Sequence, residues 1–264
     1  MLPSPAKLLA QELGIESADP EKSRAPEFVE VLRAKQADAL VVASYGQILS
    51  QAVLDSAVHG GINLHGSILP KYRGAAPIQR CIFDGCVETG VTLMQMDRGM
   101  DTGDVIDIVK TPIGPDETYG ELQDRLALLA AEMAAAWMPR VVAGDYPRVA
   151  QDNGAATIAP KVAKDEAALS VDRPGGQEYN RFRAFTPSPG SFLSTVHGTL
   201  RVSKARLGRD SGERGTVTAV RDGLVVAFAE DAIELLEVQP EGKKKMSGRD
   251  FSNGARLKPG QRLI

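Results

Sequence analysis

The 264-residue sequence is poor in the residues that much enzyme chemistry relies on. It has two cysteines, three histidines and one tryptophan, and aromatics make up 5% of the chain. Cys81 and Cys86 are too far apart for the C-x-x-C redox spacing, and they do not make a four-ligand zinc site. They are expected to be plain thiols, and a chain without disulfides suits a reducing cytoplasm. His59, His65 and His197 are too few for a His-rich metal centre, so no metal is expected. There is no G-x-S-x-G nucleophile elbow and no Walker loop. No G-x-G-x-x-G follows an expected strand, which disfavours a dinucleotide site. No apolar run reaches 18 residues, so no membrane span is expected. The start, "MLPSPAKLLAQELG", lacks a charged segment followed by an apolar one and does not read as a signal peptide.

What is present is ordinary in amount and uneven in distribution. Hydrophobic residues make up 43% and charged residues 25%, the balance of a soluble globular protein. The net charge is −3, yet Val196–Ile264 holds 13 Lys/Arg against 9 Asp/Glu. That basic excess is a weak hint of a polyanionic partner. The first half alternates helix-like and strand-like segments, which argues an α/β domain over residues 1–145. "ADALVVASYG" reads as a strand buried on both faces. "SQAVLDSA" reads as a short helix with Ser50 as N-cap, "GINLH" as the next strand and "AAPIQRCIFDG" as a helix ending at Gly85. "TGVTLMQMD" and "GDVIDIVKTPI" read as two more strands. Thr118 and Glu121 make a capping-box pattern before a helix with Leu122, Leu126, Leu129 and Met133 on one stripe. Periodicity fades over residues 146–165, which reads as a linker. Residues 166–264 carry a possible helix and then short β-rich runs, with a hairpin signal at Asp222-Gly223. Such runs suggest a small barrel or sandwich.

One constellation carries chemistry. If "INLH" is a strand, Asn63 and His65 share a face near its carboxyl end, where open α/β sheets bind ligands. An amide donor beside an imidazole suits a tetrahedral oxyanion. An Asn-x-His pair is by itself more often a structural feature. "MQMDRGMDTGDVI" places Asp97, Asp101 and Asp104 among Gly99 and Gly103 in a tight loop between strands. Asp97 and Asp104 suit turn capping, and the spacing excludes an EF-hand. One of these aspartates is expected to pair with His65 and hold the imidazole.

"VVASYGQIL", "GINLHGSILPKYRGAAPIQR", "ETGVTLMQMDRGMDTGDVI", "RAFTPSPGSF" and "QPEGKKKMSGRDF", in this order over nearly the whole chain, resemble the folate-dependent formyltransferases. The C-terminal segments narrow the resemblance to the methionyl-tRNA formyltransferase family. It implies a Rossmann-like catalytic domain followed by an OB-like barrel. It also implies transfer of a formyl group from 10-formyltetrahydrofolate to the amino group of initiator Met-tRNA, with no metal. The family's catalytic Asn, His and Asp would fall on Asn63, His65 and Asp101. Its folate contacts would fall on Ser67, Ile68, Leu69 and Pro70 and on Tyr45, Gly46 and Gln47 of the Ser44–Leu49 loop. Lys243, Lys244 and Lys245 would contact tRNA, and a cytoplasmic monomer is expected. A strand–helix–strand unit of that family, roughly one βαβ motif, has no counterpart here before Met1, so an N-terminally truncated domain is expected. The alternatives are a truncated fragment that binds tRNA without turnover, or a formyl-folate enzyme acting on a small-molecule amine.

Overall fold

A computed structural model describes residues 3–264. Two short helices come first, α1 (Pro5–Glu12) and α2 (Pro26–Ala34). Each starts with a proline in its first turn, where the missing N–H costs nothing, and Ser4 caps α1 through the Lys7 N–H. Their packing is slight: α1 buries no residue, and α2 buries Val29.

The first sheet follows, from β1 (Leu40–Val42), β2 (Gly61–His65), β3 (Glu88–Gln95) and β4 (Val105–Pro112), in that spatial order. β1 runs parallel to β2, and the other neighbours are antiparallel. Between them lie α3 (Gln51–Leu54) and α4 (Pro77–Phe83). The run expected to be a strand buried on both faces is corrected here. β1 is three residues long and lies at the sheet edge with Val41 half exposed. Burial depends on what packs against a run, and among the described residues no strand pairs with the outer side of β1. β3 is the central strand, buried from Thr89 to Gln95.

The long helix α5 (Tyr119–Val142) covers this sheet. Its Glu121 carboxylate accepts the Thr118 N–H at 2.9 Å, as the capping pattern predicts. Leu122, Leu126 and Met133 are buried from the expected stripe. They join Ile62, Ile82, Leu93 and Phe185 in one core.

The segment after α5 lacks periodicity, yet it is fastened to the first domain. Val149 exchanges two backbone hydrogen bonds with Val105, at 2.8 and 2.9 Å. Arg73 is similarly flanked, donating to the Thr157 carbonyl at 2.9 Å and accepting from Ala159 N–H at 2.6 Å. Helix α6 (Gly175–Ala184) then serves both halves. Tyr179 and Phe182 enter the second core, while Ala184 and the following Phe185 enter the first.

The second sheet comprises β5 (Phe192–Thr195), β6 (Gly198–Gly208), β7 (Val217–Val220), β8 (Leu224–Ala227), β9 (Ala232–Pro240) and β10 (Met246–Ser247), followed by helix α7 (Gly248–Ala255). The order is β5-β6-β9-β8-β7, with β10 on β9. Asp222-Gly223 turns between β7 and β8 as expected. The strand content is that of the expected small β domain, but strand pairing among the described residues does not close it into a barrel. β5 and β7 remain its two edges. Residues 261–263 lace the gap instead: Val196 N–H donates to Leu263, and Val217 N–H to Gln261, at 2.9 and 2.8 Å.

Candidate active site

β2 delivers Asn63 and His65 to the carboxyl end of the first sheet, with Asn63 half-buried and His65 buried. The loop between β3 and β4 brings Asp101 to meet them. Asn63 Nδ2 donates to Asp101 Oδ1 at 3.4 Å, and His65 Nδ1 lies 3.6 Å from Asp101 Oδ2. The same Oδ2 accepts the Gly74 N–H at 2.8 Å. The two predicted side chains of β2 therefore converge on the carboxylate of the third, Asp101.

The other imidazole nitrogen settles the tautomer. His65 Nε2 is 2.9 Å from the Tyr72 carbonyl, which can only accept. Nε2 therefore carries hydrogen, and Nδ1 is the nitrogen left to face Asn63 and Asp101. Two glycines make the loops fit. A Cβ on Gly103 would stand 1.9 Å from the Gln95 carbonyl oxygen. One on Gly74, which has φ +119°, would stand 2.8 Å from that of Ala159. Of the neighbouring aspartates, Asp97 caps its turn as expected, accepting from Gly99 N–H and the Thr102 hydroxyl, whereas Asp104 accepts from Arg148 Nε at 3.0 Å and not from a backbone N–H.

Because β1 and β2 are parallel and Val42 is opposite Asn63, the loops leaving both strands lie side by side. Tyr45, Gly46 and Gln47 are exposed on the first loop. Gln47 also accepts the Ser23 N–H at 2.8 Å. On the second loop Ile68 and Pro70 are half-buried and present an apolar wall. Ser67 and Leu69 are buried. The Ser67 hydroxyl donates to the Lys71 carbonyl at 2.7 Å, and the Leu69 N–H to Thr92 Oγ1 at 3.1 Å. The Ser67 side chain and the Leu69 backbone thus brace the loop from beneath.

Comparison with known proteins shows the family. The formyl transferase family matches residues 3–142, and the formyl transferase C-terminal domain family matches residues 161–256. A methionyl-tRNA formyltransferase of Geobacter metallireducens is 41% identical over 264 residues, covering 100% of this chain and 85% of that protein. One of Chlamydia pneumoniae is 43% identical, covering 96% and 82%. The chain belongs to the methionyl-tRNA formyltransferase family. Solved structures share its fold. HypX from Aquifex aeolicus, in complex with tetrahydrofolic acid, has a TM-score of 0.67 at 15% identity, over 89% of this chain and 44% of that one. An N-formyltransferase from Helicobacter canadensis, bound to folinic acid and dTDP-3-aminofucose, has a TM-score of 0.65 at 18% identity, over 86% and 80%.

Elsewhere in this formyltransferase chain, Lys243, Lys244 and Lys245 are exposed on the turn between β9 and β10, and Lys245 reaches Glu237 at 3.4 Å. Among the described residues no cluster of His, Cys, Asp and Glu could hold a metal, and no helix is long and apolar enough to cross a membrane. Both cysteines are free. Burial pushes the Cys81 thiol up to about 12, which makes it a poor nucleophile. Sequence reasoning missed the main-chain groups of Tyr72 and Gly74 and the side chains of Arg73 and Gln151, described below. No motif signals them, since backbone groups leave no trace in residue type.

Proposed function

We propose that Asn63, His65 and Asp101 carry the transfer of a formyl group from 10-formyltetrahydrofolate to the amino group of initiator Met-tRNA. The chain is a formyl-transferring enzyme by family. The observation that supports this assignment of residues is the convergence of Asn63 and His65 on the Asp101 carboxylate.

The chemistry needs an oxyanion held, an amine proton removed and the folate nitrogen protonated as it leaves. Asn63 Nδ2 turns from Asp101 to donate to the formyl oxygen as charge develops there, and His65, carrying a proton on Nδ1 as well as on Nε2, gives a second donor. Asp101, fixed by the Gly74 N–H, takes the proton of the attacking amine directly or through a water. His65 gives its Nδ1 proton to the departing folate nitrogen and regains one from Asp101, while Nε2–H stays committed to Tyr72. The balance is one C–N bond formed, one broken, and one proton moved from the amine to the departing nitrogen. Ile68, Pro70 and the Tyr45–Gln47 loop would hold the folate, with Ser67 and Leu69 supporting the wall. Lys243 and Lys244 would meet tRNA phosphates. The reaction belongs where charged tRNAs are used, which supports a cytoplasmic enzyme, and a monomer is the state this reading carries.

Formyl transfer to charged initiator tRNA tests it. Asn63→Ala, His65→Ala and Asp101→Asn should each lower kcat by about 10²-fold or more. Lys243→Glu with Lys244→Glu should raise KM for tRNA and spare kcat. Near-parental turnover in any of the three active-site variants would remove that residue from the mechanism.

A further inference from the structure

We propose that Gln151 is a positioning residue for formyl transfer, locking the Asp101 loop from a segment outside the catalytic sheet. The proposal rests on the role given above to Asp101.

Asp101 has φ +56°, a left-handed conformation that costs a non-glycine residue energy and persists only where its surroundings impose it. Gln151 imposes it. Its carboxamide nitrogen donates to the carbonyls of Asp101 at 2.9 Å and of Gly103 at 2.7 Å. Both of its hydrogens are therefore spent on the backbone flanking Thr102. Its carboxamide oxygen accepts from Arg73 Nε at 3.1 Å and Nη2 at 2.8 Å. Arginine can only donate and carbonyls can only accept, so the amide has one workable orientation.

Arg73 makes the lock stiff. It is 5% exposed, and among the described residues no carboxylate lies within ion-pair distance of it. Its remaining bond from Nη2 goes to Asn153 Oδ1 at 2.9 Å. A buried guanidinium resting on neutral oxygens forms charge-assisted bonds that are costly to break. The next residue, Gly74, donates its N–H to the Asp101 carboxylate. One dipeptide, Arg73-Gly74, thus grips the loop twice: at the main chain through Gln151, and at the carboxylate directly. Without Gln151 the Asp101 φ would be free to relax, and the carboxylate would leave the point where Asn63 and His65 meet it. A misplacement of about 1 Å is enough to cost on the order of 10²-fold in rate.

The test uses the full chain and charged initiator tRNA, with Gln151→Ala, Gln151→Glu, Asp101→Asn and the double variant Gln151→Ala/Asp101→Asn. Gln151→Glu keeps the length and the acceptor for Arg73 but sets a carboxylate oxygen against the two carbonyls. Both single Gln151 variants should lose about 10- to 10²-fold in kcat, with KM for 10-formyltetrahydrofolate and for tRNA within about twofold of the parent. In the Asp101→Asn background, Gln151→Ala should cost less than about twofold more, because the group it positions is already gone. Equal losses in the two backgrounds, a loss confined to KM, or parental kcat in Gln151→Ala while Asp101→Asn is impaired would each overturn the role of Gln151 alone. Parental kcat in Asp101→Asn would overturn the catalytic reading and this inference with it.

Discussion

Residues 3–50 and residues 61–95 are neighbours in the same domain and are built very differently. In the first stretch Ser23 and Val29 are the buried side chains, while Leu9, Leu13, Val41 and Ile48 are half exposed or more. The second stretch buries Ile62, His65, Leu69, Arg73, Ile82, Val91, Leu93 and Met94. The candidate site draws on both. Asn63 and His65 come from the tight half, and Tyr45, Gly46 and Gln47 come from the loose one. The difference teaches where precision is needed. Groups that meet a reacting atom must hold their geometry, and burial on rigid elements supplies that. A wall that receives a flat ring can be less firmly fixed.

That contrast can be broken by mutation. The largest effect is expected in the tight half. Ile62→Ala removes a fully buried side chain beneath the site and should cost about 3 kcal/mol in denaturant unfolding. A loss below about 1 kcal/mol would mean that the two stretches are equally adaptable. A middle-sized effect is expected where the tight half is clamped to the crossover segment. Arg80 on α4 holds both Glu166 oxygens, at 2.6 and 2.9 Å, and this lowers the Glu166 carboxyl from an ordinary value near 4.5 to about 2. Its contribution to stability is therefore complete above about pH 4.5 and fades as the pH falls through about 2. Glu166 is partly exposed, so the effect is modest. Glu166→Gln should lower Tm by about 3 °C at pH 6 and by nothing measurable at pH 2. A difference that stays constant over that range would show that the ion pair is not its cause. The smallest effect is expected at Leu9→Ala on α1, within about 0.5 kcal/mol of the parent. A larger cost would show that α1 is covered in solution and would erase the comparison.

The sequence made some parts of this molecule readable and left others blank, for physical reasons. "INLH" could be read because a strand alternates its side chains, and that alone put Asn63 and His65 on one face. Asp101 stood out less by pattern than by resemblance, since Asp97 and Asp104 share its glycine-rich setting. β1 was misjudged because an apolar run says nothing of what will cover it. Gln151 was invisible because residues 146–165 have no period. Their order comes from backbone bonds to Arg73 and Val105, and any residue type can make those. The burial of Ser67 and Leu69 beneath the loop after β2 could not be read from their sequence positions.

The strap over the Asp101 loop has a consequence for the chain as it is being made. Ribosomal synthesis runs from the amino end, and domains tend to fold as they emerge. Asn63, His65 and Asp101 all precede β4 of the catalytic sheet, yet Gln151 follows Asp101 by 50 positions and Thr157, which accepts from the Arg73 N–H, follows that residue by 84. In the proposed mechanism, a nascent chain that has exposed its whole first sheet holds Asn63, His65 and Asp101 and not yet the residue proposed to align them. Assembly of the catalytic geometry therefore waits on the stretch that leads into the second domain.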